Sequence, residues 1–166
     1  MIIRVSNRDR HEADLLAQDT VKLLESMGVS ARLENKQQSR IEANRLGFMA
    51  EFAVCRLFGA EPPRLNIATD GGVDLWLGDI SVDVKFSKTG SLIFDSADKF
   101  KANLAVLVTG TNDPECMLLE GWIGKTAFVR DAYAKDFGYG ERLVMGSSDL
   151  TPMPRLWELI MERKFK

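Results

Sequence analysis

Two aspartates and a lysine, Asp74, Asp83 and Lys85, form a pattern that is typical of sites at which carboxylates bind a cation. They fall in a stretch that alternates apolar and polar residues and breaks at Gly78-Asp79, a pair suited to a two-residue turn between antiparallel strands. The turn predicts that Asp74 lies opposite Asp83, with Cβ atoms ~5 Å apart. Like charges in this arrangement repel each other, so we expect a cation to compensate them.

Mg²⁺ is the cation that suits this pair of carboxylates, because it takes one or two carboxylates and completes its shell with water and substrate phosphate. Lys85 would stand ~6.6 Å along the strand from Asp83 on the same face, within reach of a water or phosphate on the metal. Such a set is suited to hydrolysing phosphodiesters. The alternative is an ordinary solvated sheet face, on which Lys85 partly neutralises the acids.

A predicted helix from Ser39 to Phe58 carries a further candidate, Glu51. A capping-box pattern opens this helix and Gly59 ends it. Glu51 falls in the middle of an apolar stripe, where an unpaired charge is costly. It must therefore pair with Arg45 or Arg56, or point at the hairpin acids and help to hold the metal or its water.

Hydrophobic periodicity and turn residues predict the elements that position these side chains. Exposed polar connections are expected at 29–38 and 61–72, and the second carries two further candidates for substrate contact, Arg64 and Asp70. Helices are predicted over 12–27, 39–58, 126–137 and 154–163, a polar turn or helical piece over 96–101, and strands over 1–5, 73–77, 80–86, 91–94, 104–109 and 117–123.

Composition narrows the classes of function. The chain has 166 residues, 45% hydrophobic and 28% charged, which predicts one globular domain, and its net charge of −2 gives no broad positive field for nucleic acid. Cys55 and Cys116 have no CxxC partner, which argues against zinc, an iron–sulfur cluster or a disulfide framework and favours a reducing cytoplasm. His11 is the only histidine, so no multi-histidine metal centre can form. The sequence has no membrane-spanning run and no signal peptide pattern.

The order of the candidates resembles the PD-(D/E)XK nuclease superfamily: Glu51 on a helix, Asp74 on a strand, and Asp83-Val84-Lys85 on the next strand. The resemblance covers about residues 39–109, with Val73 where the name-giving proline would stand. It implies an α/β fold with a restriction-endonuclease-like core, a central mixed β-sheet flanked by helices. We expect a single domain over 1–166, with its core at about 39–137.

The resemblance also implies roles for the catalytic set. Asp74, Asp83 and the backbone carbonyl of Val84 would bind Mg²⁺, for which Mn²⁺ could substitute, and Glu51 would support the metal directly or through water. Lys85 would position or activate the attacking water and steady the phosphate. The expected activity is that of a Mg²⁺-dependent deoxyribonuclease, with DNA as the partner, and the superfamily adds the expectation of a homodimer.

Substrate contacts are predicted from position alone. Arg45, Arg64 and Lys88 flank the proposed site and are the candidate phosphate-binding residues, although each is also explained as an ordinary solvated side chain. Since the chain has no separate recognition domain, we expect selectivity for structure or ends over readout of a long sequence. Two alternatives stay open: a non-catalytic nucleic-acid-binding or interaction module that retains the fold, and an unrelated α/β protein whose acids hold a structural cation.

Overall fold

The computed structural model describes residues 1–28, 37–65, 72–138 and 140–164, which form a mixed α/β architecture. Part of the connection predicted at 29–38, and Asp70 in the second connection, lie outside these described residues. Single 3₁₀ turns occur at Ala97–Lys99 and Ser147–Asp149. In chain order the helices and strands are β1 (Ile2–Arg4), α1 (Asn7–Ser26), α2 (Gln37–Phe58), β2 (Leu75–Leu77), β3 (Ile80–Phe86), β4 (Ser91–Phe94), β5 (Leu104–Gly110), β6 (Cys116–Gly124), α3 (Lys125–Asp131), β7 (Tyr133–Asp136), β8 (Glu141–Gly146) and α4 (Met153–Lys164).

The strands form two sheets. The larger is five-stranded in the order β1-β6-β5-β3-β2, with β3 parallel to β5 and the other neighbours antiparallel. The smaller is three-stranded in the order β4-β8-β7. The prediction of a mixed sheet flanked by helices is confirmed. The strand predicted at 91–94 is also present, but it leaves the main sheet and pairs with β8.

The five-stranded sheet separates two hydrophobic clusters. Along β5, Leu104, Val106 and Val108 belong to the first cluster, while Ala105 and Leu107 belong to the second, so alternate side chains face opposite sides of the sheet. Helices α1, α2 and α4 pack on the first side. The second side is covered by residues from β4, β8, α3 and the segment before β5. Both faces of the sheet are therefore buried around β3 and β5.

Three phenylalanine rings in mutual contact build the centre of the second cluster. The ring centroids of Phe94 and Phe100 lie 4.3 Å apart, and Phe128 meets Phe94 edge-on at 5.1 Å. These rings come from β4, from the segment before β5 and from α3, which are well separated along the chain. The cluster therefore fixes β4 over the sheet face that carries the side chain of Asp83.

Several element boundaries differ from the predictions. Helix α1 begins at Asn7, five residues early, because Ser6 caps it by accepting the N–H of Asp9 at 3.2 Å. Helix α2 begins before Ser39, so the predicted capping box does not start it. The helix predicted over 126–137 is wrong beyond Asp131, where the chain becomes β7 and pairs with β8.

Within the described part of the chain, no helix combines the length and the apolar character needed to cross a membrane. His11 is exposed on α1. The end of α4 reaches back to the hairpin turn, where Arg163 Nη1 donates to both carboxylate oxygens of Asp79 at 3.1 Å.

Candidate active site

The predicted hairpin is present and its turn is confirmed. Gly78 has a φ of +68°, the conformation that a two-residue turn with glycine in the first position requires. The register follows from this turn, with the pairs Leu75–Val82, Trp76–Ser81 and Leu77–Ile80.

Asp74 lies just outside this ladder and caps its edge. Its backbone N–H donates to Val82 O at 2.9 Å, one residue short of the predicted partner, so the backbone pairing of Asp74 with Asp83 is wrong. The chain turns away at Gly72, whose φ is +79°. Asp74 Oδ2 accepts the N–H of Val84 at 2.6 Å. If β2 continued in this direction, one of its backbone carbonyl groups would accept this N–H instead. The Val84 carbonyl points to this same edge, because both backbone groups of one residue face the same neighbour in an antiparallel ladder.

Asp83 is buried beneath the second cluster. Its side chain is 1% exposed, and Oδ1 lies 2.6 Å from Lys85 Nζ. The ammonium group of Lys85 also stands 5.3 Å from the ring centroid of Phe94. The alternative of a solvated sheet face is therefore wrong for Asp83, because β4 and its neighbours cover this side. Lys85 itself stays 40% exposed, so the ion pair reaches solvent at one end.

Glu51 and Asp74 line one cleft beside the hairpin. The cleft has a volume of about 930 Å³ and lies between α2, the segment after it and the edge of β2. Burial raises the pKa of the nearby Cys55 thiol to about 12, and the charges of Glu51 and Asp74 act in the same direction. The structure thus brings the helix carboxylate and the first hairpin carboxylate to one cleft, as the prediction required.

The arginines considered as partners of Glu51 pair elsewhere. Arg45 binds Glu42 through Nε at 2.8 Å and Nη2 at 2.7 Å, and Arg56 Nε binds Asp9 at 2.6 Å. These contacts of the two arginines go to acids other than Glu51, and the role of Glu51 stays a prediction. Glu51 is half-buried and borders the cleft.

The donor chemistry of the hairpin fits a hard cation, although no ready-made cage is present. Among the described residues, no group of three or more His, Cys, Asp and Glu side chains is placed to hold a metal ion, so Glu51, Asp74 and Asp83 are not gathered into one. Mg²⁺ does not need such a group, since it binds through one or two carboxylates and keeps several waters. Two aspartates and the Val84 carbonyl offer the oxygen donors that it prefers.

The three predicted phosphate-binding residues lie in different parts of the structure. Arg64 borders the cleft, with Nη2 donating to Glu61 at 2.8 Å. Arg45 is held by Glu42, whose pKa is lowered mainly by that hydrogen bond and further by the charge of Lys88. Lys88 is exposed beyond the end of β3. Of the three, Arg64 is the one that the fold places at the cleft.

Sequence reasoning missed two aromatic residues of the site. Trp76 is 60% exposed on β2 and lines the cleft, and its position on the polar side of the alternating strand was a usable signal. Phe94, which lies against the ammonium group of Lys85, gave no local signal because it comes from the second sheet.

Comparisons of the chain with protein-family models, with curated proteins and with solved structures return no match. Membership of the PD-(D/E)XK superfamily therefore stays a prediction from the order of Glu51, Asp74, Asp83 and Lys85. The case for a function depends on the geometry of these residues.

Proposed function

We propose that this protein is a Mg²⁺-dependent nuclease that hydrolyses phosphodiester bonds in DNA. The observation that carries the proposal is the buried carboxylate of Asp83, paired with Lys85 at 2.6 Å, beside an edge where Asp74 binds the N–H of Val84. Buried ion pairs contribute little net stability compared with apolar packing, so their presence calls for another reason. Ionisable groups held in this way are concentrated at functional sites.

Asp74, Asp83 and the Val84 carbonyl would hold the metal ion. When bound, Mg²⁺ would polarise a phosphoryl oxygen and lower the pKa of a water molecule, which favours attack of that water on phosphorus. The N–H of Val84 fixes the orientation of the Asp74 carboxylate at the edge of the hairpin. Glu51, on the opposite wall of the cleft, would hold a water molecule rather than complete the inner shell.

Lys85 would act on the phosphate. Asp83 and the Phe94 ring hold its ammonium group at the solvent-reaching end of the pair, so little rearrangement is needed when substrate arrives. A fixed positive charge stabilises the negative charge that the pentavalent transition state gathers. The side chain of Lys85 is a positioned cation in this account, and no proton leaves it.

The test is cleavage of labelled single-stranded, duplex and branched DNA, and of RNA, in Mg²⁺, Mn²⁺ or EDTA. Wild type is compared with Asp74→Asn and Asp83→Asn, and Asp79→Asn is the matched control, because Asp79 lies on the same hairpin but is exposed at the turn. We expect metal-dependent cleavage that is lost in the first two variants and retained in Asp79→Asn.

Two results would contradict this proposal. Cleavage by Asp83→Asn at the wild-type rate would show that the site is wrongly assigned. Binding of nucleic acid without cleavage of any substrate in either metal would favour the non-catalytic binding module. Circular dichroism of each variant establishes that a loss of cleavage is not a loss of folding.

A further inference from the structure

The cleft beside Asp74 has the wrong charge for a phosphate backbone. Its described lining carries three acids, Glu51, Glu61 and Asp74, against a single base, Arg64, which is itself paired with Glu61 at 2.8 Å. Nucleic-acid surfaces that follow the backbone are lined by Lys and Arg. Away from the proposed metal ion, this lining therefore favours an uncharged part of a polynucleotide.

The rest of the lining is apolar and includes an exposed indole. Phe48, Pro62, Leu65, Val73 and Trp76 contribute to the walls. Trp76 is 60% exposed, and it makes no hydrogen bond or ring contact with the described residues around it. What distinguishes Trp76 from the other exposed aromatic residues is its place in the lining of the cleft, where a ligand that stacks on the indole would remove apolar area from water.

Base chemistry matches both properties of the cleft. A nucleobase has a flat apolar face that stacks on an indole, and its edge carries N–H donors to carboxylates, which are exocyclic amino groups in adenine, cytosine and guanine and a ring N–H in thymine. Since Asp74 lines the cleft and also borders the hairpin edge, a base held there would belong to a nucleotide next to the phosphate at the proposed metal site. A base inside a duplex cannot reach such a cleft.

We infer that Trp76 is a stacking platform for one unpaired base, and that the substrate is a single strand or an unpaired end. The inference rests on the proposed nuclease function, whose site it extends. The indole is 60% exposed on the last strand of its sheet, so a single strand can reach it from solvent. Duplex DNA would bind only after fraying, at a cost in free energy for each base that is unstacked.

The test measures binding without cleavage. Fluorescein-labelled 20-nucleotide single strands of dA or dT and a 20-base-pair duplex are titrated with protein in EDTA and in Ca²⁺, with fluorescence anisotropy as the readout. We expect tighter binding of the single strands and roughly a ten-fold loss of affinity in Trp76→Ala, in the range for one stacked base. Trp76→Tyr should restore most of the affinity.

Tyr133→Ala is the matched control. Tyr133 is 54% exposed on β7, an edge strand of the other sheet, so it is an equally open aromatic away from the cleft. Quenching of tryptophan emission by unlabelled dT strands gives a second readout, since stacking on Trp76 should quench in the wild type and not in Trp76→Phe.

The inference is overturned if single strands do not bind, if the duplex binds as tightly as they do, or if Trp76→Ala and Tyr133→Ala bind alike. The nuclease proposal can fail separately. If Asp83→Asn still cleaves in the presence of metal and binding depends on Trp76, the catalytic assignment is wrong and the base site is supported. If Asp83→Asn does not cleave, and Trp76→Ala cleaves with the rate and substrate preference of wild type, the catalytic assignment is supported and the base site is wrong.

Discussion

The ion pair between Asp83 and Lys85 predicts an asymmetric effect on stability. The side chain of Asp83 is 1% exposed and that of Lys85 is 40% exposed, with Oδ1 and Nζ 2.6 Å apart. Lys85→Met keeps the apolar stem but removes the closest cation from a buried carboxylate. Asp83→Asn leaves an ammonium group that can turn towards water. The lysine variant should therefore lose more stability than the aspartate variant.

Removing one partner of a buried ion pair costs about 3–5 kcal/mol. We expect the low end, about 3 kcal/mol, for Lys85→Met, because one end of the pair reaches solvent. Asparagine keeps the shape and an acceptor, so about 1 kcal/mol is expected for Asp83→Asn. At about 2–4 °C per kcal/mol for a chain of this length, Lys85→Met should lower Tm by roughly 6–12 °C.

The measurement is urea unfolding near neutral pH, followed by far-ultraviolet circular dichroism. Both single variants and the double variant are compared with wild type, and Lys88→Met is the control because Lys88 is exposed just beyond β3. The control should change stability by less than about 0.5 kcal/mol. The double variant should lose less than Lys85→Met alone, since no charge is left buried.

Two outcomes would contradict the prediction that Lys85 stabilises the buried carboxylate of Asp83. In one, Lys85→Met costs no more than Asp83→Asn. In the other, the double variant loses the sum of the two single losses, which would mean that the two side chains do not interact. Either result would also weaken the view that Asp83 holds Lys85 in place for the phosphate.

Three further predictions follow from contacts away from the ion pair. Gly121→Ala should lower the free energy of unfolding, measured in urea, by about 2 kcal/mol, because a Cβ would lie 2.7 Å from a backbone oxygen. Gly47→Ala should raise it by about 0.5–1 kcal/mol, because Gly47 lies in a helix with open space around it. The hydrogen bond from Arg56 lowers the pKa of Asp9, so its stabilisation is present above the ordinary pKa and lost as pH falls through the folded value. The Tm difference between wild type and Asp9→Asn should therefore shrink from about pH 6 to about pH 2, and a constant difference would contradict this. Burial and a pKa of about 12 should leave the Cys55 thiol unreactive to Ellman's reagent in the native protein. Wild type and Cys55→Ser should therefore release the same amount of coloured thiolate from the reagent. A larger release from wild type would show that the Cys55 thiol is accessible.

The sequence predicted the elements that are decided locally. Gly78-Asp79 fixed the hairpin register because turn chemistry and period-two alternation act over a few residues. The buried strand over 104–109 and the end of α2 at Phe58 follow from the same short-range patterns. These features also placed Glu51 on a helix and Asp83 and Lys85 on one strand.

The predicted ends of helices and strands were wrong where contacts with segments distant in sequence competed with the local pattern. Residues 132–137 have a helical apolar spacing, yet pairing with β8 draws them into a strand. Asp74 was expected inside the ladder, but the strand begins at Leu75, and the Asp74 carboxylate accepts the N–H of Val84.

The sequence alone therefore predicts on which helix or strand each candidate residue lies. The surroundings of these residues depend on the folded chain: β4 covers Asp83, the ring of Phe94 lies against Lys85, and Trp76 opens into the cleft. The physical reason is the range of the interactions. Strand and helix patterns are local, whereas burial and charge pairing depend on segments that meet only after the chain has folded.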